Sequence, residues 1–113
     1  MKPNFFSEID VAVAAFARGE FVVVVDDIDR ENEGDLIIAA EKMTPEKMSL
    51  LLQYTSGVVC VPMSDERLDA LHLPPMVSQN TESHRTAFTI TVDVKAGTTT
   101  DSAAIRDALR AVA

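Results

Sequence analysis

The chain is poor in positive charge. Ten lysines and arginines stand against eighteen aspartates and glutamates, for a net charge of -8. That balance argues against nucleic acid, whose binding is driven by cations meeting phosphates, and against anionic membrane surfaces. There is one cysteine, Cys60, so no intramolecular disulfide can form, and a reducing compartment is expected. No apolar run approaches the ~18 residues that a membrane span requires. The opening stretch MKPNFFSEID lacks the apolar core of a signal peptide, and the expectation is a cytoplasmic protein. Neither an internal repeat nor a low-complexity tract is present. At 113 residues, 47% of them hydrophobic and 25% charged, the composition suits one globular domain.

What the chain does have is an unusual window. Val22–Val25 is an apolar run that feeds into DDIDRENEGD, Asp26 to Asp35, in which six of ten residues are carboxylates and Arg30 is the one cation. A second apolar run, Leu36 to Ala40, follows at once. Mg²⁺ and Mn²⁺ prefer hard oxygen ligands, commonly one or two carboxylates completed by water and substrate oxygens. Crowded carboxylates raise one another's pKa, which can leave one of them able to carry a proton near neutral pH. Arg30 could hold a substrate or pin two carboxylates in place. Asp26 and Asp27, at the strand end, either orient the others or face solvent. A solvated acidic turn is the plain alternative, but the two apolar flanks count against it. A calcium loop starting at Asp29 would place glycine correctly at Gly34, yet Ala40 stands where the bidentate glutamate belongs.

Around the window, strands and helices interleave, giving an α/β (α+β) class with a mixed sheet flanked by helices. Ser7 can cap a helix through Ala17, striped by Ile9, Val13, Phe16 and Ala17 and stopped at Gly19. Glu20–Val25 reads as a strand buried on both faces. Thr44-Pro45 starts a second helix, with Met48, Leu51, Leu52 and Thr55 at helical spacing and Ser56-Gly57 as its end. Val58 to Pro62 is expected to be a short buried strand, with Cys60 a small core residue. Ser64 caps a helix over Asp65–Leu71, His72 sits at its end, and Leu73 to Asn80 is a loop around Pro74-Pro75. Thr86–Val94 alternates as a half-buried strand with Phe88, Ile90, Val92 and Val94 on one face. Gly97 and Thr98 to Thr100 form a polar turn before a last helix capped by Asp101 or Ser102.

Three strings together resemble one known family. DDIDRENEGDLIIAAE is similar to the motif of 3,4-dihydroxy-2-butanone 4-phosphate synthase, and EKMSLLLQYTSGVVCVPMSDERLDALHLPPMV and HRTAFTITVDVKAGTTT agree with it in order and spacing. The resemblance covers nearly all of Phe5 to Thr100, the N-terminal half of a family domain. It implies a lyase of riboflavin biosynthesis that converts D-ribulose 5-phosphate to 3,4-dihydroxy-2-butanone 4-phosphate and formate with Mg²⁺ or Mn²⁺, as a homodimer. By resemblance, Arg30 and Glu31 contact substrate, Glu31 is the metal-ligating glutamate, and Asp35 contacts substrate and is a candidate proton carrier. Glu33 matches a further acidic position and Cys60 the cysteine of the family's SGxVCV, both candidates for the catalytic set. Thr98, Thr99 and Thr100 match the start of a loop that closes over substrate.

The resemblance has edges. Before TAFT the family often has histidine followed by glycine; here His84 is followed by Arg85, and His84 reads as an exposed loop residue. Residues 101–113, DSAAIRDALRAVA, depart from the family pattern, leaving 1–113 as a single partial domain. The family's RPGH motif, its RRGHTE-like motif with the second metal ligand and its late glutamate have no counterpart here. The alternative expectation is therefore a catalytically inactive fragment that serves as a binding or dimerisation module.

Overall fold

The computed structural model describes residues 5–93. In order, these form α1 (Ile9–Ala17), β1 (Val22–Val25), β2 (Gly34–Ile37), a 3-10 turn (Ala40–Lys42), α2 (Pro45–Tyr54) and α3 (Asp65–Ala70). Thr98, Thr99, Thr100, the expected last helix and the 101–113 tail lie outside the described residues.

The helix ends follow their expected chemistry in most places. Thr44 caps α2 by accepting a hydrogen bond from the Lys47 backbone N–H at 3.2 Å, with Pro45 at the first helical position. Ser64 caps α3 in the same way through Arg67 N–H at 3.3 Å. α1 is different: its N-cap is Glu8, not Ser7, and no side chain caps it. At its other end Gly19 adopts φ +85°, with Gly19 N–H bonded to the Phe16 carbonyl and Glu20 N–H to the Ala15 carbonyl. That is the paired closure for which a left-handed residue is needed, and glycine adopts it without a Cβ penalty. α3 closes with the same two bonds, His72 N–H to Asp69 and Leu73 N–H to Leu68, although the left-handed residue is His72 at φ 56°.

β1 and β2 form an antiparallel hairpin, with Val22 opposite Ile37, Val24 opposite Asp35 and Val25 opposite Gly34. Alternation along the strands puts Asp35 and Ile37 on one face with Val22 and Val24, and Val23, Val25 and Leu36 on the other. Among the described residues the sheet has these two strands, smaller than the mixed sheet expected. The core is equally small: Met43, Met48 and Leu51 are buried, with Phe21, Ile38, Leu52 and Val59 packed against them. The Lys47 ammonium ties the core helix α2 to the chain before β1 by donating to the Gly19 carbonyl.

Several expectations about strands are corrected. β1 is not buried on both faces: Val23 is 68% exposed, and Val24 and Val25 are close to half exposed. The expected Val58–Pro62 strand does not form, because no partner ladder reaches it among the described residues. Val59 turns inward and Cys60 outward, so Cys60 is exposed and is not a core residue. Of the expected Thr86–Val94 strand, Val94 lies outside the described residues, and the described part shows one bridge, Pro75 with Thr89, with Phe88, Ile90 and Val92 exposed. On α1 the half-buried side is Ala12, Ala15 and Phe16, while Ile9 and Val13 face outward. The periodicity marked these residues as apolar faces, but a face becomes buried only when another layer lies on it.

Candidate functional site

The acidic window is the turn of the β1–β2 hairpin, and Asp26 organises it. Its backbone N–H reaches the Glu33 carbonyl at 3.4 Å, the last rung before the strands part. Its carboxylate then takes three donors: Glu33 N–H on Oδ1 at 2.9 Å, and Glu31 N–H at 3.1 Å and Arg30 Nη1 at 2.8 Å on Oδ2. The Asp27 carbonyl accepts from the N–H groups of Arg30 and Asn32, and Asn32 turns the chain at φ 51°. Asparagine tolerates this left-handed position better than most residues. Gly34 then starts β2.

The electrostatics follow from that geometry. The Asp26 carboxyl is held below its usual range, first by the Glu33 N–H, against partial removal from water, and then by the Glu31 N–H and Arg30. The upward shift expected from carboxylate crowding is therefore not what governs Asp26. Arg30 is held more firmly protonated, chiefly by its bond to Asp26 and then by the Glu31 charge, with Asp35 adding to the field. Arg30 thus pins two carboxylates: Asp26 directly, and Glu31 at 3.7 Å from Nη1.

The structure brings Arg30, Glu31, Glu33 and Asp35 onto one short turn and its departing strand, all four at the surface. Cys60 sits in an exposed irregular segment between α2 and α3. Glu31 suits a hard divalent cation in kind, since its carboxylate is exposed and rests on a fixed backbone. The donor set is incomplete, however: among the described residues no group of three or more histidine, cysteine, aspartate or glutamate side chains is placed to hold a metal ion.

In the 80–86 loop, sequence reasoning singled out His84 and Arg85 but not Glu82 or Asn80. Glu82 folds it by accepting from the N–H groups of His84 and Thr86 and from the Ser83 hydroxyl, while Asn80 donates to the Thr86 carbonyl. These bonds pull the Glu82 carboxyl from 4.5 down to about 2, led by the His84 and Thr86 N–H groups. His84 is exposed, as expected. Arg85 adopts φ 53°, so the position where family resemblance leads one to expect glycine is one whose backbone favours glycine. Away from the acidic turn, a groove of about 370 Å³ runs between α3 and residues 87–89, lined by Asp65, Leu68, Asp69, Leu73, Pro75 and Phe88 among others. None of the expected site residues that are described lines it.

Fold and site together define an α/β domain with a preorganised acidic turn carried on a hairpin. The chain belongs to the 3,4-dihydroxy-2-butanone 4-phosphate synthase family, whose model matches residues 10–112. It is 56% identical over 97 residues to the 3,4-dihydroxy-2-butanone 4-phosphate synthase of Candida albicans, covering 86% of this chain and 48% of that protein. It is likewise 56% identical over 95 residues to the riboflavin biosynthesis protein RibBA of Nocardia farcinica, covering 84% of this chain and 23% of that protein. Among solved structures, a 3,4-dihydroxy-2-butanone 4-phosphate synthase in complex with two magnesium ions superposes with a TM-score of 0.88 at 45% identity, covering 96% of this chain and 51% of that one. The chain thus spans about half the length, or less, of these relatives.

Proposed function

We propose that this chain provides the acidic-turn half of a cytoplasmic lyase acting on D-ribulose 5-phosphate, with 3,4-dihydroxy-2-butanone 4-phosphate and formate as products. The observation that carries the reading is the turn itself. Asp26 fixes the backbone of Glu31 and Glu33, while the carboxylates of Glu31, Glu33 and Asp35 stay at the surface. Arg30 and Glu31 would meet the polyhydroxylated substrate, and Asp35 or Glu33 would take and return the proton next to the carbonyl. Asp35 is well suited, because its place on β2 fixes where its side chain leaves the backbone. Cys60, exposed, would line the site, and Thr98, Thr99 and Thr100 would cover it.

Mg²⁺ or Mn²⁺ is the proposed cofactor, with Glu31 one ligand and the remaining protein ligands outside the described residues. When bound, such an ion polarises oxygens beside the reacting carbonyl. The test is formate release from D-ribulose 5-phosphate in the presence of Mg²⁺. Loss of about 10²-fold or more in Glu31→Gln is expected if the ligand is removed, and full activity in that variant would contradict the assignment.

A second reading has its own support in the incomplete donor set and the exposed apolar faces. In it the chain is an inactive module that dimerises or binds through those faces. Absence of formate release, together with concentration-dependent self-association, would favour it over catalysis by this chain.

A further inference from the structure

We infer that the groove between α3 and residues 87–89 is the docking site of this chain's own segment 101–113, which sets apolar side chains into the groove and Arg106 and Arg110 on the carboxylates of its lip. The inference is independent of the reading of Glu31. Leu68, Leu73, Pro75, Ala87 and Phe88 give the groove apolar walls. They are incompletely covered: Phe88 is 55% exposed, and Leu68 and Leu73 are half-buried. Asp65 and Asp69 are the charged residues of the lining. They stand one turn apart on α3 and flank Leu68. Neither takes part in an ion pair among the described residues.

An occupant of this groove must bring apolar side chains and two cations one helical turn apart. The chain carries that pattern once. Arg106 and Arg110 are its only two cations four residues apart, and outside the acidic window Asp65 and Asp69 are its only two carboxylates at that spacing. Ile105, Leu109 and Val112 recur at i, i+4 and i+7 beside the arginines, while Asp107 falls away from that stripe at helical spacing. Exposed charge pairs of this kind add little affinity, but they set register and direction. The apolar contacts supply the remainder.

The segment is within reach. Thr89 lines the groove, and residues 90–100 connect it to Asp101. Fully extended, that connection spans about 35–40 Å, enough to fold back along α3. Its start is anchored beside the groove, where Ile90 N–H donates to the Pro74 carbonyl at 3.1 Å. A flexible tether of this length supplies an effective concentration of about 1 mM, so an intrinsic dissociation constant of about 0.1 mM keeps the groove occupied about nine-tenths of the time.

The experiment is paramagnetic relaxation NMR on the 113-residue chain. A nitroxide is attached at Ala111→Cys, off the apolar stripe, with Cys60→Ser so that no second thiol reacts. The expected result is loss of the Leu68, Asp69, Phe88 and Thr89 amide signals, recovered when the nitroxide is reduced. The signals should return, with the nitroxide still oxidised, in Arg106→Glu/Arg110→Glu. They should return equally in Asp65→Asn/Asp69→Asn, changes that keep side-chain size on α3. Amide shifts of α2 and α3 in the reduced state show that each variant is folded. Groove signals that persist in the labelled chain overturn the inference. So do signals that stay lost in either pair of variants, since the charge match would then be irrelevant. Loss that appears only between a labelled copy and a separate isotope-labelled one also overturns it, because the occupant is then a second copy.

Discussion

Residue by residue, the sequence marks the acidic window as one unit but does not show how its carboxylates differ from one another. Arg30, Glu31, Glu33 and Asp35 were legible as one acidic motif. That Asp26 is the carboxylate turned inward was not, because inward and outward aspartates have the same composition and differ only in which backbone N–H groups they meet. Cys60 was misjudged for a related reason: an apolar string reveals alternation but not its phase, and Val59 took the inward position. Glu82 was invisible, since a loop acidic residue carries no signal until the turn around it closes. It also supports a pH prediction. Its folded pKa is depressed to about 2 from 4.5, so between these values the unfolded state binds more protons and stability rises with pH. The Glu82 contribution is present above pH 4.5 and is lost as pH falls toward 2. Urea denaturation of the chain and of Glu82→Gln should therefore differ at pH 6 and converge near pH 2; a constant difference would contradict the assignment.

For whole elements, the local signals that succeeded are those in which the chain satisfies itself. Thr44-Pro45, Ser64 and Gly19 act within one helix end, and each stands where the pattern put it. Strand expectations did less well, because a strand is defined by a neighbour. β1 and β2 found each other across the eight residues 26–33, whereas Val58–Pro62 and the stretch from Thr86 to Asp93 lack comparable partners among the described residues. Gly19 gives the sharpest test at this scale. A Cβ there would lie 2.9 Å from Lys42 Cβ on a backbone at φ +85°. Gly19→Ala should destabilise the chain by about 2 kcal/mol, combining left-handed strain with displacement of the Lys42 stem. Gly34→Ala, whose Cβ would meet Val23 and Val25 at an ordinary 3.6 Å, should be close to neutral by the same denaturation measurement. Equal costs at the two positions would contradict the backbone account.

Across the whole molecule, the described residues show half a design. Three buried side chains make the core, while Phe5, Phe6, Ile9, Val23, Ile28 and Phe88 are exposed. A core of that size offsets little of the conformational entropy of a chain this long, and surfaces of this kind mark faces that another layer covers. The match to the solved magnesium-bound relative covers 96% of this chain and 51% of that one. The α/β class and the family were legible because hairpin, helices and acidic motif are all local. The expected mixed sheet was not legible in the same way, because strands depend on partners that a local motif does not supply. Whether the acidic turn nevertheless binds its two ligands together is the central question, and calorimetric titration answers it. With D-ribulose 5-phosphate present, Mn²⁺ should bind more tightly than alone, and the sugar phosphate should bind more tightly with Mn²⁺ by the same factor, as linkage requires. Both effects should vanish in Glu31→Gln. Binding of either ligand that is indifferent to the other, or that survives Glu31→Gln unchanged, would contradict the account.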